Sequence, residues 1–237
     1  MREPKKLARV AGFLYLLVAV FTIFAGVVNT RVAESGEAGA TADAIAASAT
    51  LYRVGLVSEM VGATAFLMTA MALYLLLRHV HPMAAAAMVT FVAVSVAIQS
   101  LNLLNQQTAL AIATGEDFAF GPTGSDQLAT LFVDMRHDGY LIAQTYFGLW
   151  LLPLGYLVIR SGYFPRVLGV LLIIGCIGHL TDVFARFLAP DLGASISPFV
   201  MTPPAIAEVS FIVWLLVRSV RESDPGTRAP AVARPAV

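Results

Sequence analysis

Residues 10–30 read VAGFLYLLVAVFTIFAGVVNT, and no side chain in this stretch carries a charge. A helix needs about 20 apolar residues to cross the hydrocarbon core of a bilayer. Helices and closed barrels alone satisfy every backbone polar group there. A basic segment precedes the stretch, but its apolar run exceeds the roughly 7 to 15 residues of a secretory signal core. We therefore expect a retained membrane-spanning helix.

Five more windows of the chain have the same character. The six windows cover approximately residues 10–30, 55–77, 83–105, 139–159, 167–188 and 203–217. Pro203 and Pro204 are interpreted as the start of the last helix, because proline is well tolerated in a first helical turn. The sequence thus predicts an all-α fold, a polytopic membrane protein with a six-transmembrane-helix bundle. Residues 1–221 are predicted to form one membrane domain, and residues 222–237, rich in Pro, Ala and Arg, a disordered cytoplasmic tail.

The composition agrees with a bilayer location. Hydrophobic residues make up 58% of the chain and charged residues 13%, with a mean hydropathy of +0.79. A soluble domain has about 45–50% apolar and about 25% charged residues, so an ordinary soluble enzyme is excluded. Fifteen basic residues balance fifteen acidic ones, which gives no support to nucleic-acid binding. One cysteine, Cys176, rules out an intrachain disulfide.

Basic residues also predict the orientation of the bundle. An even number of spans places both termini on one side of the membrane. Eleven of the fifteen Lys and Arg residues fall on that side and four on the other. Because basic flanks are retained in the cytoplasm, we predict an N-in, C-in protein that crosses the bacterial inner membrane several times.

Two long connections, residues 31–54 and 106–138, are predicted on the outer side. Thr41 is expected to open a short amphipathic helix with Ile45, Ala49 and Tyr52 on its apolar face. Ser125 is expected to cap another, with an apolar face formed by Leu128, Leu131, Phe132 and Met135.

Polar side chains inside the spans fall in one layer, roughly the outer third of the membrane. Charges that face lipid are costly, so such groups normally turn toward other helices or a water-filled cavity. We therefore expect an outward-facing polar pocket that binds a ligand. Its predicted lining residues are Glu59, Gln99, Asn102, Gln144, His179, Asp182 and Glu208.

Structural roles compete with this interpretation. Asp182 and Arg186, four residues apart, are also predicted to form a structural ion pair. The amide side chains suit hydrogen bonding between helices. Glu59 has no basic residue within one helical turn, so it needs a partner from another span or a proton.

Four segments resemble the DUF4386 family of bacterial integral membrane proteins. They are residues 8–17 (ARVAGFLYLL), 147–156 (FGLWLLPLGY), 160–169 (RSGYFPRVLG) and 178–182 (GHLTD). The family is one of unknown function, so the resemblance implies a multi-span architecture and no particular chemistry. It also implies an aromatic residue where this chain has His179, which weakens any metal site that needs His179.

Three classes of function are open. The first is a transporter-like or sensor protein that binds a small molecule, a cation or a proton. The second is an intramembrane metal-dependent hydrolase that uses His179 and Asp182 with Glu59 or Glu208. The third is an accessory membrane protein without a ligand. The first is favoured, and with it no enzymatic activity, no cofactor, no metal and no nucleic-acid partner. The lipid bilayer is the one partner expected in every case.

Overall fold

The computed structural model describes residues 2–33, 38–115 and 121–220, and these ranges fold into helices with no strand among them. The helices are α1 (Arg2–Val32), α2 (Ala38–Ala47), α3 (Ala49–Leu77), α4 (Pro82–Ala113), α5 (Gly121–Leu149), α6 (Leu151–Ser161), α7 (Arg166–Leu188), α8 (Pro190–Val200) and α9 (Thr202–Val217). Six stretches within the described ranges are long and apolar enough to cross a membrane. The prediction of an all-α bundle with six spans is confirmed. The predicted disordered tail, residues 222–237, lies outside the described residues.

The spans pack around a closed ring in chain order. α1 packs against α3, α3 against α4, and α4 against α5 and α6. Helices α5 and α6 then pack against α7, α7 against α9, and α9 returns to α1. Side chains that point inward from any span therefore meet those of the others.

Both ends of the described chain lie at one face of the bundle. The hydroxyl of Ser219, just after α9, donates a hydrogen bond of 3.0 Å to the carbonyl oxygen of Lys5 in α1. We name this side the terminal face and the opposite side the distal face. At the distal face α1 ends and α3 begins.

The predicted outer connection 106–138 is largely wrong. α4 continues to Ala113 and α5 already starts at Gly121, so most of this stretch extends two spans. Half of the predicted apolar face is confirmed, because Leu128 and Phe132 pack against buried residues, whereas Leu131 and Met135 are 52% and 45% exposed. Gln106 and Arg136 do not end the helices, since neighbouring helices supply their hydrogen-bond partners.

The other predicted outer helix is split in two. α2 contains Thr41 and Ile45, both buried, and starts three residues before the predicted cap. Ala49 and Tyr52 belong instead to α3, which follows a break at Ser48.

Prolines explain two irregularities within the spans. Pro153 lacks an N–H, so the carbonyl of Leu149 loses its usual helical partner, and α5 and α6 meet at Trp150. Pro203 and Pro204 lie in the first turn of α9, as predicted. The sixth span is nevertheless longer than expected, because α8 extends it back to Pro190.

The outer surface is apolar and the centre of the bundle is aromatic. Large apolar side chains are exposed around the ring; Phe13, Ile23 and Leu104 are 56%, 65% and 63% exposed. A soluble monomer rarely exposes contiguous apolar patches beyond a few hundred Å². Trp150 and Phe66 are buried in the core. The molecule is a multi-pass membrane protein whose exterior suits lipid.

Candidate functional site

Four side chains from four helices form a closed circuit of hydrogen bonds in the distal half of the bundle. We name Asn29, Glu59, Gln106 and Arg136 the distal ring. Asn29 Nδ2 donates to Glu59 Oε1 at 2.8 Å, and Arg136 Nη2 pairs with the same oxygen. Arg136 Nε donates to Gln106 Oε1 at 3.0 Å, and Gln106 Nε2 donates to Asn29 Oδ1 at 3.2 Å. The ring ties α1, α3, α4 and α5 together.

The distal ring makes a buried charge pair tolerable. The side chains of Arg136 and Glu59 are 14% and 7% exposed, so both have lost most of their contact with solvent. A buried ion pair offsets its desolvation only when further hydrogen bonds satisfy the remaining polar atoms. Asn29 and Gln106 each supply one such bond, so each charge has a second partner, while Glu59 Oε2 and Arg136 Nη1 make no hydrogen bond within the described residues.

A second group of polar side chains joins α1, α7 and α9. Tyr15 donates to Glu208 Oε2, and His179 Nε2 lies 3.3 Å from Glu208 Oε1. We name Tyr15, His179 and Glu208 the Glu208 triad. His179 Nδ1 is buried and has no hydrogen-bond partner within the described residues. The triad thus holds a carboxylate between a hydroxyl and an imidazole.

Asp182 connects α7, which belongs to the Glu208 triad, with α5, which belongs to the distal ring. Gln144 Nε2 in α5 donates to Asp182 Oδ2 at 3.0 Å, and Arg186 Nε lies 3.5 Å from Asp182 Oδ1. The second contact is electrostatic, because neither atom makes a hydrogen bond in the described part of the chain. Asp182 and Arg186 thus lie within ion-pair distance, as expected for residues four apart on one helix.

Next to the distal ring lies a cavity of about 220 Å³ between α1, α3, α4 and α5, which we name the distal chamber. Its wall is formed by Thr22, Gly26, Asn29, Thr30, Glu59, Gln99, Arg136, His137 and Tyr140. Gly26, Thr30 and His137 are exposed, so the chamber reaches the protein surface. All but Gly26 of these residues have polar side chains, within helices that are otherwise apolar.

A smaller cavity of about 40 Å³, the inner chamber, continues from the distal chamber. Thr22, Gln99 and Tyr140 belong to both walls. On α1 the two walls extend from Thr30 to Val18, about 18 Å at 1.5 Å per residue. A chamber of this volume has room for water, since one water needs about 10–15 Å³ by this measure.

Aromatic side chains close the inner chamber toward the terminal face. Phe66 and Phe147 line it, with ring centroids 5.0 Å apart. Trp150 contacts Phe66 edge to face at 5.0 Å and Tyr15 at 5.5 Å. These rings are the floor of the cavity, and the Glu208 triad touches that floor, since His179 packs on Phe147 at 5.1 Å.

The structure divides the seven residues predicted to line a pocket. Glu59, Gln99 and Gln144 lie in the walls of the two chambers. Neither wall includes His179, Asp182 or Glu208. His179 contacts Glu208, and Asp182 accepts a hydrogen bond from Gln144, behind the inner chamber.

Asn102 has a packing role. Its Nδ2 donates at 2.8 Å to the carbonyl oxygen of Arg136, and its Oδ1 accepts from Asn105 at 2.9 Å. A Cβ on Gly139 would lie 2.2 Å from Asn102 Oδ1. The absence of a side chain at Gly139 thus lets the Asn102 amide bind the backbone of α5.

Sequence reasoning missed four members of the distal ring and the Glu208 triad. Gln106 and Arg136 fall in the predicted outer connection, because the third apolar window ends in the polar run of residues 105–108 and the fourth begins only at Gly139. Asn29 and Tyr15 lie inside the first window and were passed over as part of an uncharged span. Asn29 carried a usable signal, since it is an amide side chain in an apolar helix. The predicted external partner of Glu59 exists and is Arg136.

The metal-dependent hydrolase gains no support from this geometry. Within the described ranges, no three His, Cys, Asp or Glu side chains lie together so that they could hold a metal ion. His179 contacts Glu208, whereas Asp182 binds Gln144 and Arg186. The proposed ligands thus do not converge.

Comparison with known proteins places the chain in a family. The family described as "Domain of unknown function (DUF4386)" matches residues 10–219. The chain belongs to the DUF4386 family. The resemblance seen in the sequence is thereby confirmed, and the DUF4386 match spans all six membrane helices. The family description assigns no function.

One relative of this DUF4386 protein is an uncharacterized protein of Archaeoglobus fulgidus. It is 32% identical over 95 residues, which cover 40% of this chain and 52% of that protein. The chain thus spans about half the length of the curated relative it matches. No solved structure shows significant similarity to the chain. The site must therefore be interpreted from its own geometry.

Proposed function

We propose that this DUF4386 protein resides in the bacterial inner membrane and binds a small polar molecule from the non-cytoplasmic side, as a transporter-like protein or a sensor. The observation that carries the proposal is the polar distal chamber and the smaller, mainly apolar inner chamber behind it, which extend from the surface to an aromatic floor between four spans. A ligand site is commonly a concave pocket with a few convergent polar groups.

The distribution of basic residues supports the orientation. Of the twelve Lys and Arg residues that the structure describes, eight lie toward the terminal face, including Arg2, Lys5, Lys6 and Arg9 at the start of the first helix and those of both short connections. Of the other four, Arg136 and Arg186 are engaged in ion pairs inside spans. With the terminal face in the cytoplasm, the chambers open away from it.

The terminal half of the bundle favours binding over passage. Leu73, Leu77 and Met88 are fully buried there, and they pack with the aromatic floor in one apolar core. A polar solute in the distal chamber has no polar path to the terminal face in this conformation. A transport cycle would require the floor to open, whereas a sensor would use the cavity as it stands.

Filling the cavity tests the proposal. Gly26 lines the distal chamber, and a Cβ placed there meets nothing within 4 Å. A Gly26→Trp variant should therefore fill the chamber without disturbing the packing, and Gly26→Ala is the matched control. Small polar solutes are screened by thermal shift on the purified protein. We expect a solute that raises Tm for the wild type and Gly26→Ala but not for Gly26→Trp. No stabilising solute, or a shift that persists in Gly26→Trp, would overturn the proposal.

A further inference from the structure

We propose that the distal chamber recognises a small zwitterion, a molecule with one ammonium and one anionic group. This inference rests on the proposed function and specifies the chemistry of its ligand. It follows from the way in which the distal ring uses its two charges.

Each charge of the distal ring keeps an atom available to a ligand. Glu59 receives both of its hydrogen bonds, from Asn29 and Arg136, on Oε1. Arg136 donates through Nε and Nη2. Glu59 Oε2 and Arg136 Nη1 make no hydrogen bond within the described residues, and neither is among the occluded polar atoms there. An acceptor and a donor of opposite charge thus remain open beside the cavity.

The charge balance of the chamber selects against ions. Glu59 and Arg136 cancel, so the empty site is neutral around the pair. A ligand with a net charge would leave that charge uncompensated between membrane-spanning helices, which is costly. A zwitterion adds none. Its ammonium can donate to Glu59 Oε2 while its anionic group accepts from Arg136 Nη1, and charge-assisted hydrogen bonds of this kind are among the strongest.

The remaining wall limits the ligand to a small one. Gln99, Thr22 and Tyr140 offer neutral hydrogen-bonding groups around the pair. The chamber volume of about 220 Å³ is below the roughly 300–1,000 Å³ that is typical of sites for drug-sized ligands. A free amino acid has suitable size and charge. The ammonium and phosphate of a phosphatidylethanolamine headgroup share the same chemistry.

Four compounds of similar size separate charge from shape. L-alanine carries both charges, ethylammonium one, propionate the other, and propionamide neither. Their binding to the full-length protein is measured by calorimetry in nanodiscs of phosphatidylglycerol. We expect L-alanine to bind about tenfold or more tightly than each of the others, the size expected for losing one charge-assisted hydrogen bond.

Variants test whether Glu59 is the recognition group. Glu59→Gln should weaken L-alanine binding by about tenfold or more, for the same reason. Asp134→Asn, on the exposed side of α5, is the matched control and should bind L-alanine as the wild type does. Should Glu59→Gln fail to fold, the selectivity of the wild type among the four compounds still decides the question.

The possible outcomes test the zwitterion and the proposed binding of a small polar molecule separately. Stabilisation by phosphatidylethanolamine without L-alanine binding would support the zwitterion and assign it to a lipid headgroup. Propionamide binding as tightly as L-alanine would overturn the zwitterion and leave the proposed function intact. The zwitterion would also be overturned, and the proposed function left intact, by a solute with a net charge that stabilises the wild type but not Gly26→Trp. If no solute stabilises the protein in the thermal-shift screen and no compound binds in the calorimetry, both the zwitterion and the proposed function are overturned.

Discussion

The charges of the distal ring depend on one another. Removing one partner of a buried ion pair costs about 3–5 kcal/mol, because the other charge stays buried without compensation. Arg136→Leu should therefore lower the free energy of unfolding by about that amount. Adding Glu59→Gln should restore part of the lost free energy of unfolding, since it removes the buried carboxylate that Arg136→Leu leaves without an ion-pair partner. Unfolding in detergent by denaturant titration of the two single variants and the double variant measures this coupling.

The exposed Arg53, on the same face of the membrane, provides the control. Arg53→Leu removes a guanidinium that solvent already screens, and its effect should stay within about 0.5 kcal/mol. Equal losses for Arg136→Leu and Arg53→Leu would contradict the ion pair, as would a double variant that is as unstable as the sum of its parts.

The Glu208 triad makes a prediction about hydrogen bonding instead of charge. Glu208→Gln keeps an oxygen for Tyr15 and a donor for His179, so the loss of stability should be small. Glu208→Leu leaves a buried hydroxyl and a buried imidazole unpaired, each costing about 1–3 kcal/mol. Thermal unfolding of the two variants in the same detergent distinguishes them. If Glu208→Gln is as harmful as Glu208→Leu, the ionised carboxylate itself is what the fold requires.

At the scale of the element, close contact between α6 and α7 depends on two glycines. A Cβ on Gly155 would lie 2.6 Å from the carbonyl oxygen of Gly169, and a Cβ on Gly169 the same distance from that of Gly155. Backbone atoms cannot move aside singly, so Gly155→Ala must separate the helices. Overpacking of this kind costs about 1–3 kcal/mol.

The matched control is again Gly26→Ala, in a helix with open space around it. Alanine is favoured over glycine in a helix by roughly 0.5–1 kcal/mol, so this variant should be as stable as the wild type or more so. A thermal-shift comparison of the two variants is sufficient. Equal Tm values for Gly155→Ala and Gly26→Ala would contradict the close approach of α6 and α7.

Hydropathy predicted the elements well where apolar sequence is unbroken and poorly where polar residues continue a helix. The window 167–188 matches α7, Arg166–Leu188, to within one residue. The window 83–105 stops eight residues short of Ala113, the end of α4. Gln106 ended that window because it is polar, yet it is fully buried in the distal ring. Its partners come from other helices, so local sequence holds no sign that the helix continues.

At the scale of the whole molecule, the sequence predicted buried polar residues within the spans, but their placement in a single layer is wrong. On α1, Asn29, the partner of Glu59, lies 14 residues or about 21 Å from Tyr15, the partner of Glu208, so the two carboxylates lie at different depths. Assigning Glu59 to Arg136 and Glu208 to Tyr15 required the rotation of each helix in the ring. Periodicity does not fix that rotation for helices that are apolar on nearly every face.

Orientation is a further prediction at this scale. The distribution of basic residues predicts that the terminal face is cytoplasmic. A fluorescent protein fused after residue 220 should therefore be bright, and alkaline phosphatase at the same position inactive. Fusions after residue 113, at the distal end of α4, should give the opposite pattern. An active phosphatase after residue 220 would mean that the chambers open toward the cytoplasm.

The most direct measurement asks from which side water enters the bundle. Cys176, the one cysteine of the chain, is first replaced by alanine, and single cysteines are introduced at Gln99, Met88 and His79. Gln99 lines both chambers, Met88 is fully buried in the apolar half, and His79 is exposed at the terminal face. A membrane-impermeant thiol reagent is applied to vesicles of each orientation. We expect Gln99→Cys to react from the non-cytoplasmic side alone, His79→Cys from the cytoplasmic side alone, and Met88→Cys from neither. Reaction of Gln99→Cys from the cytoplasmic side, or its failure to react from either side while His79→Cys is labelled, would contradict an outward-facing polar cavity.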